Sequence, residues 1–332
     1  MFIDQQTPIE EIKALLQKIG FFNTTEEFIT EVTKPGEGNM NVVLRVTTNL
    51  RSFILKQSRP FVQKYKDIEA PIARIDVEYQ FYRTIANNAL LRKHFPEILK
   101  FNTENHLLIL EDLGACEDMT YLYNAGTLET KQLELLVQIV ANIHKAKAPK
   151  DYPKNTDLRL LNYQHIFELP FMENNGFSLN EIQPGLENLS IPYKKDVVLK
   201  AKIKEIGSKY LSDGTTLIHG DFYPGSWMSK KNHVYIIDPE FSFLGFPEFD
   251  LGVLAAHAIL IAKNKTALST IVKQYPNAID SELLYQITGI EIMRRLIGLA
   301  QLPISFSLKE KESLLQLAYH LIMRSDSNTT AD

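Results

Sequence analysis

The stretch from Leu217 to Asp250 constrains this chain more than any other. It holds two aspartates, Asp221 and Asp238, each placed where an apolar run stops. Leu217-Ile218 leads into His219-Gly220-Asp221, and Pro224 and Gly225 punctuate the loop that follows. Val234 to Ile237 is a second apolar run, which Asp238-Pro239-Glu240 ends. Pro239 has no N–H to give a sheet, so a central strand cannot run through it. The pattern is strand, loop, strand, loop. It predicts a β-hairpin with one carboxylate at the end of each arm. Such a pair suits a base for a hydroxyl group set beside a ligand for Mg²⁺. Two solvated aspartates on a plain hairpin suit the same residues, and the rest of the chain must decide.

Upstream, Ile9, Ile12, Leu15, Leu16 and Ile19 recur at helical spacing, with Thr7 as a cap and Pro8 in the first turn. Phe28 to Val32 alternates like a strand, and Val42 to Val46 follows a glycine turn running from Lys34 to Asn41. A turn of this kind can fold over phosphates with its backbone N–H groups, although most Gly-X-Gly turns are only hairpins. It has neither the full GxGxxG form nor a Walker sequence. Lys56 ends the apolar strand Phe53-Ile54-Leu55. It reads either as an edge lysine in water or as a lysine that reaches phosphates and pairs with a helix glutamate. The Pro71–Ile85 segment has helical periodicity and supplies Glu78, which either faces that lysine or is solvated. His106 to Leu110 is a short buried strand running into Glu111-Asp112-Leu113-Gly114. A hinge between two lobes would lie there, with backbone groups near Glu111 and Leu113 reading the adenine edge.

After Gly114 the pattern turns helical. A helix is expected from Leu128 to Lys147, with His144 as a core or capping histidine, while residues 151–190 give no clear pattern. Pro192 to Leu211 reads as one amphipathic helix with a solvated lysine face that includes Lys194. Asp250 can cap the apolar helix that begins near Phe249, or brace a catalytic loop. Arg294 and Arg295 interrupt the apolar surface of a helix from Ser281 to Gln301. Adjacent helical residues point about 100° apart, so one arginine is expected at the edge of the packed face. A partly buried arginine needs an anionic or hydrogen-bonding partner, either a structural carboxylate or a polar substrate. Leu308 to Met323 predicts a final helix.

Composition narrows the class. The 332 residues are 45% hydrophobic and 23% charged with net charge −4, which fits a globular protein of one large or two medium domains. No basic tract argues for nucleic acid or an anionic membrane. The longest apolar run, Leu251 to Ala262, is too short to span a bilayer. The N-terminus lacks the basic-then-apolar order of a signal peptide. The single cysteine, Cys116, excludes an internal disulfide and a cysteine-based metal cluster. A cytoplasmic location is the expectation from these features.

Glycine turn, strand lysine, helix glutamate, hinge strand, helices, HGD loop, DPE loop and helices follow one another in the order of the protein-kinase-like fold. HGD resembles the aminoglycoside phosphotransferase and choline kinase branch. Within it, five segments are similar to the methylthioribose kinases. They are Gly36 to Asn41, Ile54 to Gln57 with Arg59 to Val62, His219 to Met228, Asp238 to Phe241 with Phe249 to Gly252, and Met293 to Gly298. The resemblance implies an α+β, bilobal fold: a small β-rich N-lobe over residues 1–112 and a larger, mainly helical C-lobe over residues 113–332. It implies ATP and Mg²⁺ as cofactors. Gly36, Gly38, Asn39 and Asn41 would cover the phosphates of ATP, and Lys56 would hold them with Glu78 as its partner. Glu111 and Leu113 would lie at the adenine. Asp221 would accept the hydrogen bond of the acceptor hydroxyl; Asp238, Glu240 and Ser226 would hold Mg²⁺. Arg294 and Arg295 would face the acceptor, 5-methylthioribose, with an aminoglycoside, an amino alcohol or another sugar as alternatives. A non-catalytic nucleotide-binding pseudokinase is the reading from a different class. The expected partners are ATP and a small-molecule acceptor, with a homodimer as a candidate assembly, and neither nucleic acid nor membrane. Tyr223, Pro224 and Trp227 depart from the family pattern beside Asp221, and residues 115–215 show no match to it.

Overall fold

Alternating burial along Val42–Thr48 turns Val42, Leu44 and Val46 to one face of a sheet and Val43 and Arg45 to the other. In the computed structural model, which describes residues 1–22, 26–36, 40–231 and 233–324, this strand lies in a five-stranded antiparallel sheet. The strand order is Ile29–Thr33, Val42–Thr48, Ser52–Gln57, Leu107–Glu111 and Ile98–Asn102. One face packs Leu44, Val46, Phe53, Leu55, Leu107 and Ile109 against the helix Ile9–Lys18 through Ile12, Leu15 and Leu16. The period of two then puts Ile54 and Lys56 on the opposite face, where Leu108 and Leu110 meet the helix Arg74–Ile85.

The larger body forms around the helix Pro247–Ala262. Every residue from Glu248 to Ile261 is buried, as expected for a helix that is apolar on nearly all sides. The helix Ser281–Ile297 packs along it so closely that a Cβ on Gly252 would stand 2.6 Å from Ile287 Cγ2. The helix Leu308–Met323, opened by a capping box between Ser307 and Glu310, covers the far side. Among the described residues, no helix is long and apolar enough to cross a membrane.

Four local expectations are corrected. The strand Thr216–Ile218 does not pair with the run Val234 to Ile237; it pairs with Phe243–Gly245, which follows the DPE turn. The hairpin is instead Trp227–Lys230 with His233–Ile236, since Trp227 is fully buried and its segment is a strand, not a loop. Pro192 to Leu211 is not one helix. Leu186–Lys195 carries Pro192 inside it, and Asp196 then caps a second helix, Val197–Leu211, by accepting from the N–H groups of Val198 and Leu199. Lys194 is accordingly buried, with its ammonium 2.7 Å from Glu187, and not on a solvated face. Thr7 does not cap its helix; its hydroxyl turns back to Asp4, 3.2 Å away.

Candidate active site

Asp221 sits at the mouth of a braced loop. The strand Thr216–Ile218 ends at His219, and Gly220 turns the chain at φ +84°, with no room for a Cβ, which would lie 2.3 Å from the Phe241 carbonyl oxygen. Asp250 does not cap its own helix. Its carboxylate reaches back to accept the N–H groups of His219 at 2.7 Å and Gly220 at 2.9 Å. His144 Nε2 lies 3.2 Å from the same carboxylate, which places His144 in the core bracing the loop. The His219 ring takes the Asp221 N–H at Nδ1 and leaves Nε2–H for the Ile237 carbonyl at 3.1 Å, and burial lowers its pKa. A neutral imidazole therefore ties the HGD loop to the residue before Asp238.

Lys56 joins the two bodies. Its ammonium is 2.6 Å from Glu78 Oε2 and 2.6 Å from Asp238 Oδ1. Burial opposes its charge, but the carboxylates of Asp238, Glu78 and Glu240 outweigh burial and raise its pKa. Glu78 is fully buried beside it, so the solvated alternative for that residue does not hold. Asp238 adopts a left-handed backbone at φ +62°, a conformation uncommon outside glycine, and its side chain stays 46% exposed toward the cleft. Glu240 is buried: its Oε2 takes Asn41 Nδ2 at 2.9 Å and lies 3.2 Å from Arg74 Nε. Asn41 thus stands beside Glu240. Ser226 is buried one turn after Pro224 and accepts the Ile237 N–H at 2.9 Å through its carbonyl. Gly36 reaches the cleft, whereas Gly38 and Asn39 lie outside the described residues.

Between sheet and helical body is a cavity of about 600 Å³. Val43, Ile54, Lys56 and Leu110 line its sheet side, Glu111 and Leu113 the connecting segment, and Met228 and Asp238 the other wall. Such a volume lies within the range of small-molecule sites.

On the helix Ser281–Ile297, Arg294 and Arg295 are both drawn to Glu291. Arg294 Nη1 is 2.9 Å from Glu291 Oε2, and Arg295 Nε is 2.6 Å from Glu291 Oε1. Burial works against the Glu291 charge, but the two guanidinium groups prevail and hold its pKa well below the usual range. His257 Nε2 adds a contact at 3.1 Å to Glu291, while Tyr123 stands 2.6 Å from His257 Nδ1. Burial pushes the His257 pKa down to about 4, so the ring is neutral. Arg295 also lies 3.8 Å from Asp221 and 4.6 Å from the ring centre of Tyr223. Burial raises the Asp221 pKa to about 6 against the opposing pull of Arg295 and Arg294.

Of the sequence-derived residues, Gly36, Lys56, Glu111, Leu113 and Asp238 line this cavity; Glu78 is buried against Lys56, Asn41 against Glu240, Ser226 is buried, and Asp221 stands beside Arg295, while Gly38 and Asn39 lie outside the described residues. Glu291 and Arg74 were missed. Glu291 precedes the arginines by three and four positions, a spacing that brings helix side chains together and could have shown it. Arg74 carried no such signal. It is wholly buried, and its other partners are the carbonyls of Arg59, Pro71, Met40 and Phe61, contacts that no side-chain pattern encodes.

The family model described as "Phosphotransferase enzyme family" matches residues 31–278. Methylthioribose kinase 1 of Oryza sativa subsp. japonica is 25% identical over 246 residues, which are 69% of this chain and 56% of the rice protein. This chain thus spans little more than half the length of that relative. The methylthioribose kinase of Geobacillus sp. (strain WCH70) is 25% identical over 335 residues, covering 85% of this chain and 81% of that one. A crystal structure of a spectinomycin phosphotransferase in complex with ADP and spectinomycin superimposes with a TM-score of 0.53 at 13% identity, over 96% of this chain and 98% of that chain. That likeness establishes the fold.

Proposed function

The chain belongs to the phosphotransferase enzyme family, and from that premise we propose that it is an ATP-dependent kinase for a hydroxyl group on a small molecule, with 5-methylthioribose as the acceptor. The observation that carries the kinase reading is Lys56, bonded at 2.6 Å both to Glu78 of the helix and to Asp238 of the DPE loop. A surface lysine has no reason to gather two carboxylates in a buried cleft, whereas a phosphate-binding lysine needs both to hold it ready. The acceptor reading is supported by the named relatives and by the arginine pair beside Asp221.

In this reading Asp221 accepts a hydrogen bond from the acceptor hydroxyl and aims its oxygen at the γ-phosphorus. The new O–P bond forms as the bond to ADP breaks, and the hydroxyl proton passes to Asp221. Lys56 steadies the α- and β-phosphates. Asp250 keeps the loop carrying Asp221 in place through two backbone N–H groups. The acceleration comes from positioning and charge neutralisation. The hinge segment near residue 112 divides a nucleotide-binding lobe from a catalytic lobe.

The oxygen donors of the cleft fit Mg²⁺, a hard ion that keeps several waters. Asp238 is open to the cleft, and among the described residues both close contacts of the Glu240 carboxylate, with Asn41 and Arg74, fall on Oε2. Asp238, Glu240 and the Ser226 hydroxyl are the groups that would hold the ion. Bound there, Mg²⁺ would offset the charge of the phosphates.

An aminoglycoside acceptor is the second reading. Arg294 and Arg295 together balance Glu291 and Asp221, so the charges immediately around Asp221 do not favour a polycation there, although Glu117 and Asp118 of the cavity wall keep this reading open to test. ATP consumption measured over methylthioribose, other pentoses, amino alcohols and aminoglycosides tests the proposal. Methylthioribose is expected to give the highest kcat/KM, and a preference for a polycation would overturn the acceptor assignment.

A further inference from the structure

The segment linking the two bodies is gripped from both sides. Lys230, from the strand Trp227–Lys230 of the larger body, donates to the Leu113 carbonyl at 2.7 Å, and the Cys116 thiol approaches the same oxygen at 3.4 Å. Arg45, from the five-stranded sheet, donates to the Gly114 carbonyl at 3.1 Å and to the Asp112 carboxylate at 3.0 Å. The Cys116 N–H also goes to the Gly114 carbonyl, at 2.9 Å. A carbonyl oxygen has two lone pairs, so the acceptors of Leu113 and Gly114 are both spoken for. The donor is not: no hydrogen bond from the Leu113 N–H is found among the described residues. Asp112, Leu113, Gly114 and Cys116 all line the cavity.

We propose that this capped segment selects adenine over guanine, with Lys230 as a specificity-determining residue that occupies the Leu113 carbonyl. The inference rests on the nucleotide-binding reading above. Adenine offers a ring nitrogen acceptor beside its amino donor, and that acceptor meets the Leu113 N–H. Guanine offers its O6 acceptor followed by two donors, the ring N–H and the 2-amino group. With O6 at the Leu113 N–H, those donors fall toward a carbonyl that Lys230 and Cys116 already fill. A buried donor left without a partner costs more than the hydrogen bond it would have made. A site built for one hydrogen-bonding edge rejects the other on that ground. Arg45 acts in the same sense one residue further on, and because Arg45 and Lys230 come from different bodies, the segment is held in this form from both.

The test needs neither acceptor nor metal. ADP and GDP are titrated without Mg²⁺ into the parent protein and into Lys230→Met, with binding read by calorimetry. Lys230 is exposed, so the variant is expected to fold, which its melting curve checks. The parent is expected to bind GDP at least about tenfold more weakly than ADP. Lys230→Met is expected to narrow that ratio about fivefold by tightening GDP, with ADP within about twofold of the parent. Equal binding of both nucleotides by the parent would overturn the inference. So would an unchanged ratio in the variant, or equal weakening of both, which is the mark of a merely structural contact. A parent that binds neither nucleotide overturns the kinase reading itself, and the inference with it. A parent that favours ADP over GDP but phosphorylates no hydroxylated acceptor overturns the kinase reading and leaves the nucleotide selection standing.

Discussion

Glu291 Oε1 lies 2.6 Å from Arg295 Nε, one helical turn away on the helix Ser281–Ile297. The contact turns a flexible cation into a fixed one. Arg295 is then held with one amino group 3.8 Å from Asp221 and its face against Tyr223. The buried carboxylate thus sets the position of the cation beside Asp221 without touching Asp221 itself.

Glu291→Gln should loosen that arrangement while keeping its shape. We expect the KM for the acceptor to rise about tenfold, as for the loss of one charge-assisted hydrogen bond, with the KM for ATP within about twofold. Steady-state kinetics with each substrate varied in turn would check this. A larger effect on ATP would place Arg295 on the wrong side of the cleft.

Asp221→Asn should lower kcat by at least about a hundredfold, the usual scale for loss of a positioned base. ADP affinity should stay within about threefold, because the proposed mechanism sets Asp221 at the acceptor and Lys56 at the nucleotide. Retained turnover in the variant would remove Asp221 from its role.

The same residue predicts two pH effects. Its pKa is raised from 3.8 to about 6 by burial. A carboxylate must be ionised to accept the hydroxyl proton, so kcat should fall as pH drops through about 6 and hold above it. For stability the sign is opposite. The native state binds this proton more tightly than the unfolded chain, so the contribution is full below 3.8 and is lost as pH rises through about 6. Asp221→Asn should therefore be more stable than the parent at pH 8, by up to about 3 kcal/mol of unfolding free energy, and so melt higher, and lose that advantage near pH 4. Melting curves at both pH values decide it.

Asp238→Ala should remove the Mg²⁺ dependence of nucleotide affinity. Calorimetric titration of ADP with and without Mg²⁺ would show the parent strengthened by the ion and the variant indifferent to it. An undiminished response to Mg²⁺ in the variant would move the metal role to other residues.

Gly252→Ala tests the packing that supports the loop. Alanine gains up to about 1 kcal/mol in helix propensity. Its Cβ would stand 2.6 Å from Ile287 Cγ2, however, and overpacking of a tight core costs about 1–3 kcal/mol. The clash should win, for a net loss of about 1–2 kcal/mol in denaturant unfolding.

Much of the site was legible because its residues punctuate apolar runs. Lys56, Asp221 and Asp238 each stand where a strand ends, and a polar residue there must be solvated or used. The family resemblance implied one cleft for them, and four strands of the five-stranded sheet and the longer helices followed from apolar spacing, whereas the strand Ile98–Asn102 and the helices Thr156–Tyr163 and Thr266–Gln274 were not read. Strand pairing was not legible. Trp227 to Lys230 looked like loop because Pro224 and Gly225 precede it, whereas it pairs with His233–Ile236 on one side and with Glu117–Asp118 on the other. The break at Asp196 was hidden for a related reason: Pro192 sits inside a helix, and the cap that starts the next one follows it closely. Arg74 was invisible because it binds carbonyls brought together only by the fold.

The proposed reaction at this cleft is transfer of a phosphoryl group from ATP to a hydroxyl on a small molecule. The most direct test is ADP release from Mg²⁺–ATP in the presence of methylthioribose, with the sugar phosphate followed by phosphorus NMR. ADP and one phosphorylated sugar should appear in equal amounts, and both should be abolished by Asp221→Asn. ADP binding without phosphorylation of methylthioribose or of any hydroxylated acceptor would contradict it.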